Sequence, residues 1–302
     1  MRHDLVSLKL FVAVAECGNL TRAAEREHLA VSAISKRVAE LEDLVGVPLL
    51  QRNPRGVSLT PAGQSLLHHA RQMLALVDRM DAELGEFAGG VKGHIRLYSV
   101  ASALTQFLPE EVESFLSRYP GVRVSLQEHT GKAVVAAVAD GSADLGVVSD
   151  QTPTPGLSAL PYHEDRLMIG VPVGHPLSRR ESIRFADALD YAFVGPHADS
   201  SIARLMADGA KACGKALEQR VLASSFDAMC RLVQTRLGIT LLPEGVLAPH
   251  VEAGRIAMVK LAESWAQRRM LVVVRDPDQL SPITRTLIEH LQQAPLTPPE
   301  GT

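Results

Sequence analysis

Cysteine is scarce in this sequence. Only Cys17, Cys213 and Cys230 occur, too few and too scattered for a disulfide framework. A reducing compartment, the cytoplasm, is the expected home. An excess of one charge is also lacking. The net charge of -3 excludes a strongly basic nucleic-acid coat and any general attraction to anionic membranes. It leaves room for a local DNA-reading surface. No segment has the roughly 18 unbroken apolar residues of a membrane span, so no membrane partner is expected. LKLFVAVAEC does not read as a secretory core: Asp4 lies in the would-be positive region, Lys9 interrupts the apolar stretch, and Leu10 to Ala15 is too short. HExxH, GxSxG, P-loop and CxxC motifs are absent, and no Ser and His are arranged for nucleophilic attack. The adjacent His68 and His69 point in different directions with no third ligand in view. No enzyme activity, cofactor or metal is expected.

What is present is a chain of 302 residues, 46% hydrophobic, which suits a globular protein of two or three units. Near the start, Leu8, Phe11, Val12 and Ala15 repeat at helical spacing, and Gly18-Asn19 ends that helix. Thr21 is placed to cap a second helix, TRAAEREH, whose Ala23 and Ala24 permit close packing. After the turn LAV, a third helix begins near Ser32. Ile34, Val38, Leu41 and Val45 form its apolar stripe. Ser32, Ser35, Lys36 and Ala39 form a slim opposite face suited to a major groove, with Arg37 at the flank toward phosphate. Two short helices and a tight turn make a helix-turn-helix. The charge balance is even, six basic against five acidic residues between Leu20 and Thr60, so the head is no electrostatic magnet.

PLLQRNPRGVSLT reads as strand, turn, strand, a wing with Arg52 on the first strand and Arg55 at the tip. Thr60 and Pro61 then open a long helix. Its Leu66, Ala70, Met73, Val77, Met80, Leu84 and Phe87 keep heptad spacing, which implies pairing with the same helix of a second subunit. Gly89-Gly90 ends it.

The stretch LKLFVAVAECGNLTRAAEREHLAVSAISKRVAELEDLVGVPLLQRNPRGVSLTPAG resembles the LysR-type transcriptional regulators, and the resemblance extends over the whole chain. It departs from that pattern at Ala30 and Val31, where a cap and a base-reading side chain are customary; Val31 is suited to a thymine methyl instead. The resemblance implies an all-α winged helix-turn-helix with a linker helix, followed by an α/β two-lobed domain similar to type 2 periplasmic binding proteins. It implies double-stranded promoter DNA as a partner, read by Thr21, Arg22, Val31, Ser32, Ser35, Lys36, Arg37, Arg52 and Arg55. A dimer, and a tetramer built as a dimer of dimers, is implied as well. The expected boundaries are 1–59 for the DNA-binding head, 60–90 for the linker and 91–302 for the effector domain, with lobe I near 91–162 and 268–302 and lobe II near 163–267.

From about Gly93, strand-like segments (HIRLYSV, RVSLQEH, ADLGVVS, then DRLMIGVPV, YAFVGP, RVLASSF, ITLLPEGV) alternate with helical ones. This βαβ order predicts a parallel sheet with crossover helices. The late segments RIAMVKL and RRMLVVVRD are expected to return to the first unit. Hydroxyl-bearing helix starts follow strands in both lobes: Ser99, Ala101 and Ser102; Thr130; Ser200 and Ser201; and the segment around Phe226. Free N–H groups at such starts suit a polar or anionic metabolite as effector. No arginine stands out as a carboxylate clamp. Three other classes remain open on sequence: a solute-binding module, an enzyme on the same scaffold, and a redox-sensing regulator using Cys213 and Cys230. The last two cysteines lie on apolar helical patterns, which favours core packing.

Overall fold

The structure, a computed structural model, describes residues 4–53, 56–87 and 93–293. It divides into two compact units, 1–93 with 140–142, and 94–139 with 143–302.

The first unit contains α1 (Leu5–Cys17), α2 (Leu20–Arg26), α3 (Val31–Val45), β1 (Leu50–Asn53), β2 (Gly56–Leu59) and α4 (Pro61–Phe87). Asp4 caps α1 by accepting from the Val6 N–H at 2.9 Å, and Gly18 ends it in the left-handed region at φ 60°. Asn19, not Thr21, caps α2: its Oδ1 accepts from the N–H groups of Thr21 at 2.8 Å and Arg22 at 3.2 Å. An extended Asn reaches the second and third helical N–H groups, so the helix opens at Leu20 and Thr21 lies inside it. Leu10, Ala13, Val14, Ala23, Ala24, Ile34 and Val38 form one core, in which the two alanines let the helices approach closely. Val45, expected on the apolar stripe of α3, is exposed.

The wing is antiparallel, with Leu50 opposite Leu59 and Asn53 opposite Gly56. It is tied to the helices at two points. Val57 N–H donates to the Gly18 carbonyl at 2.8 Å. A Cβ at Gly56, which sits at φ 139°, would lie 2.2 Å from that same oxygen, so only glycine fits. Glu42 on α3 accepts from the N–H groups of Leu49 at 2.8 Å and Leu50 at 3.0 Å. Thr60 caps α4 by accepting from Gly63 N–H at 3.0 Å, as the Thr-Pro signal predicts.

The second unit contains β3 (Gly93–Ser99), α5 (Ala101–Gln106), α6 (Leu108–Arg118), β4 (Val122–Glu128), α7 (Gly131–Asp140), β5 (Leu145–Ser149) and β6 (Ser158–Pro172). Then come β7 (Ser182–Ile183), α8 (Phe185–Ala188), β8 (Phe193–Gly195), α9 (Ser201–Ala212), β9 (Gln219–Leu222), α10 (Phe226–Gln234), β10 (Thr240–Pro243) and α11 (Glu244–Glu252). β11 (Ile256–Leu261), β12 (Gln267–Val274) and α12 (Pro282–Gln293) complete it.

β6 is the spine. Its residues Ser158 to Arg166 pair with β12, Leu167 to Gly170 with β10, and Met168 to Pro172 with β11. The strand order is β4-β3-β5-β12-β6-β11-β7, with β10 also on β6 and β8-β9 apart. The expected all-parallel sheet is corrected to a mixed one. β3 and β5 are parallel, but β12 runs against both β5 and β6, because it re-enters the first lobe from the second. RIAMVKL does not return with it. As β11 it pairs with the far half of β6, and its Val259 and Leu261 join the second lobe's core with Phe185, Phe193 and Met206. The first lobe's core is built from Leu97, Leu145, Val147, Val272 and Leu287.

A bulge between Arg269 and Leu271 sets one β12 residue, Met270, against two of β6, Tyr162 and His163. Both side chains therefore turn inward. Tyr162 O–H donates to the Glu111 carboxylate, whose other oxygen lies 2.6 Å from His163 Nε2. Burial, then the Glu111 charge, pushes the Tyr162 phenol far up, so it stays a donor.

Candidate functional site

On α3, Ile34, Val38 and Leu41 are buried, while Ser32, Lys36 and Ala39 are exposed and Ser35 is half-buried. The 3.6-residue period produces this division. Ala30, the N-cap, makes no side-chain hydrogen bond, so the first N–H groups of α3 have no cap there, and Val31 beside them is exposed. Thr21 and Arg22 are exposed at the start of α2. Lys36 lies 3.9 Å from Glu40, both largely in solvent, a pairing that restrains neither much.

Arg37, at the flank of α3, has a partner within the head. Its Nη1 donates to Asp4 at 2.9 Å and to Ser7 Oγ at 3.3 Å, tying α3 to the start of α1. The Ser7 hydroxyl, more than Arg37, holds the Asp4 carboxyl below its usual value. Arg37 thus has that partner while its side chain stays 46% exposed. Arg55 and the side chains of Arg52 and Phe87 lie outside the described residues.

Along α4, the seam divides. Ala70 is buried and Leu66 half-buried against Leu8, Phe11 and Leu41 of the head. Val77 is half-buried, whereas Met73, Met80 and Leu84 are exposed, and so is Leu76, which heptad counting missed. His68 and His69, expected to diverge, stand edge to face with ring centroids 5.2 Å apart.

In the effector unit, Ser99 and Ser102 are buried. Ser99 Oγ donates to the Val100 carbonyl at 3.0 Å. Ser102 Oγ accepts from Arg268 Nη2 at 3.1 Å. Ala101, half-buried, opens α5. Thr130 is exposed and caps α7, accepting from Ala133 N–H at 3.4 Å. Ser200 caps α9 by accepting from Ala203 N–H at 3.0 Å, and Ser201 is that helix's first residue. Phe226 opens α10 and packs against the second lobe's cores. Among the described residues, no hydrogen bond joins the serines of one lobe to those of the other. The lobes meet through different groups: Gly245 N–H donates to Gln106 Oε1 at 3.2 Å, and Arg204 Nη1 to the Gln151 carbonyl at 3.4 Å.

The centre of this region is a group the motifs did not reveal. Arg268 on β12 is 1% exposed. It sits opposite Asp165 in the β6 register and binds its carboxylate with two nitrogens, Nε at 2.8 Å and Nη2. Gln106 Nε2 donates to the same carboxylate at 3.3 Å. Arg268 Nη1 and Ser149 Oγ are buried without a hydrogen-bond partner. Strand alternation places Ser99 and Ser149 on the face of Leu97 and Val147, and Arg268 on the face of Met270 and Val272. One signal was available in QRRMLVVV: adjacent arginines on a strand point to opposite faces, so one had to turn inward.

Cys230 is buried in the second lobe, and burial together with Asp227 pushes its thiol up to about 11. It is a protonated, unreactive thiol at neutral pH. Cys213 is exposed at the end of α9. No helix of the described residues is long and apolar enough to cross a membrane.

Comparison with known proteins places these two units. Residues 5–64 match the family model "Bacterial regulatory helix-turn-helix protein, lysR family", and residues 88–295 match "LysR substrate binding domain". The SDS degradation transcriptional activation protein of a Pseudomonas species is 31% identical over 291 residues, covering 94% of this chain and 94% of that protein. Among solved structures, full-length CbnR complexed with its target DNA is 23% identical with a TM-score of 0.68, covering 96% of this chain and 99% of that one. The CcmR regulatory domain of Synechocystis in complex with 2-PG is also 23% identical, with a TM-score of 0.62, over 67% of this chain and 96% of its own. At that identity the two structures speak to the fold.

Proposed function

The chain belongs to the LysR family of bacterial transcriptional regulators, and we propose that it reads promoter DNA through α3 and the wing under the control of a small polar or singly anionic effector held beside Arg268. Residues 1–59 form the DNA-binding head, 60–90 the dimerising linker, and 91–302 the effector domain. Lobe I spans about 91–162 and 268–302, lobe II about 163–267. Ser32, Ser35 and Val31 face the bases with Lys36 beside them in the major groove, while Thr21, Arg22, Arg37 and the wing arginines Arg52 and Arg55 approach phosphate or the minor groove. Met73, Val77, Met80, Leu84 and Phe87 pair two linker helices.

The observation that carries the effector reading is Arg268, a buried cation with one N–H group unpaired beside the hydroxyl of Ser102. A buried donor without an acceptor is costly, and a ligand oxygen would satisfy it. Asp165 already balances the guanidinium charge, which favours a polar or singly charged ligand over a highly charged one. CbnR with its DNA and CcmR with 2-PG are relatives in fold whose complexes agree with this division of labour. Ligand contact with both lobes, through Ser99, Ala101, Ser102 and Thr130 on one side and Ser200, Ser201 and Phe226 on the other, favours one lobe arrangement. Only such a difference in affinity shifts the population of DNA-binding states.

The test is a screen of metabolites against the full chain, followed by titration of the hit into Ser102→Trp. Basal promoter binding should persist in this variant while effector binding is lost. Effector affinity equal to wild type would remove the ligand from this site.

A further inference from the structure

The second lobe contains a separate cavity of about 270 Å³. The turn after β6, the loop before β8, strand β9 and the loop between α10 and β10 line it, it opens to solvent, and none of the effector-site residues named above lines it. Its polar walls are Arg220, Arg236, His175 and Tyr191. No carboxylate lines it, and among the described residues neither guanidinium is ion-paired.

Arg236 occupies an unusual backbone position. It follows α10 at φ 63°, the left-handed region, with Leu237 N–H reaching back to the Leu232 carbonyl at 3.3 Å. Glycine or asparagine is the usual residue at such a helix end, because a larger side chain there is strained. Here the position carries an arginine whose Nη2 donates to the Val173 carbonyl at 3.3 Å, at the cavity's edge. His175 Nδ1 accepts from Leu177 N–H at 3.2 Å, so the neutral ring carries its proton on Nε2 as a further donor. The His175 ring stands edge-on to Tyr191 at 4.6 Å. Burial, with the Arg236 charge beside it, holds the imidazole below its ordinary value.

We propose that this cavity is a second ligand site, specific for a small oxyanion, either free phosphate or the phosphate end of a small metabolite. Two exposed guanidinium groups with no carboxylate partner line one concave, partly apolar pocket and give it a positive potential that favours an anion. The arginine fork matches phosphate oxygens in geometry as well as charge. The strained residue at φ 63° is the group that supplies half of that charge, so the backbone cost coincides with the proposed function.

The experiment is isothermal titration of the full chain with inorganic phosphate and, separately, glycerol 3-phosphate, against sodium chloride of equal ionic strength. Saturable binding is expected with at least one of the two. A tighter glycerol 3-phosphate complex identifies an organic phosphate as the ligand, and equal or tighter phosphate binding identifies the free ion. Arg236→Gly and Arg220→Gln should each weaken binding about tenfold or more, as loss of a charge-assisted contact does. Arg236→Gly places the favoured residue at this helix end, so its melting temperature without phosphate should equal or exceed wild type, which separates lost binding from lost folding. Arg123→Gln, an exposed arginine of β4 away from this cavity, should bind phosphate as wild type does. The proposal fails if wild type shows no saturable binding, if both arginine variants bind with wild-type affinity, or if Arg123→Gln weakens binding as much as they do.

Discussion

Ser32 and Lys36 stand in solvent on α3, whereas Ser99, Ser102, Ser149 and Arg268 of the effector unit are almost wholly enclosed. Both sets are polar. The exposed set gives the fold little and keeps its hydrogen-bonding capacity for solvent or a ligand. The enclosed set is bound into the fold, because Arg268 and Asp165 stabilise each other only as a pair. A substitution in the first should therefore change recognition without changing stability, and one at Arg268 should change both.

The strongest way to break that contrast is Arg268→Ala. It leaves Asp165 buried without its cation, and a loss of about 3–5 kcal/mol is expected, read as a lower urea midpoint of the full chain. The double variant Arg268→Met, Asp165→Leu should recover most of it, since no charge is then stranded. If the single variant unfolds at the wild-type midpoint, the pair is not the anchor described here.

Met80→Glu comes next. The side chain is already exposed, so the protomer should stay folded, with a stability change within about 0.5 kcal/mol. Sedimentation should nevertheless show loss of the linker-mediated dimer, because two carboxylates would face each other at the seam. An unchanged assembly would assign the exposed stripe of α4 another role.

In the head, the predicted effects are on binding alone. Lys36→Ala should weaken all DNA sequences alike and reduce the slope of log affinity against log salt by about 0.9. Ser35→Ala should alter discrimination between bases. Equal salt slopes and equal specificity in the two variants would show that this face does not meet DNA.

The smallest effect tests the enclosed region from another side. With its thiol pushed up to about 11, Cys230 is overwhelmingly protonated at pH 8. Exposed Cys213 should react with iodoacetamide in the native protein and Cys230 should react only after unfolding. Rapid native labelling of Cys230 would revive the redox reading.

How far each region was legible follows from how local its signals are. Ile34, Val38 and Leu41 declare the buried face of α3 within two turns, and the Thr60-Pro61 pair marks the start of α4 directly. The cap of α2 lies two residues before the expected Thr21, because Asn19 and Thr21 are both good caps and backbone geometry chose between them. The end of the heptad seam was also hidden. Ala70 keeps the spacing of Met73 and Met80 but is covered by Leu8 and Phe11 of the head. In the effector unit, helix starts were readable residue by residue, yet the Arg268 cluster joins positions more than 100 apart in sequence.

The sequence by itself determined the head: its helices, its exposed stripe, its wing and the family it announces all rest on contacts within a few turns, where side-chain period and capping chemistry act directly. It also determined that strands and helices alternate beyond Gly93. Tertiary structure alone decided that β12 returns antiparallel to β5 and β6 while β11 stays behind, and that Arg268 meets Asp165 and Ser102. Strand order and direction depend on which edges find one another after the chain has crossed between lobes. No residue pattern within a single strand encodes its partner.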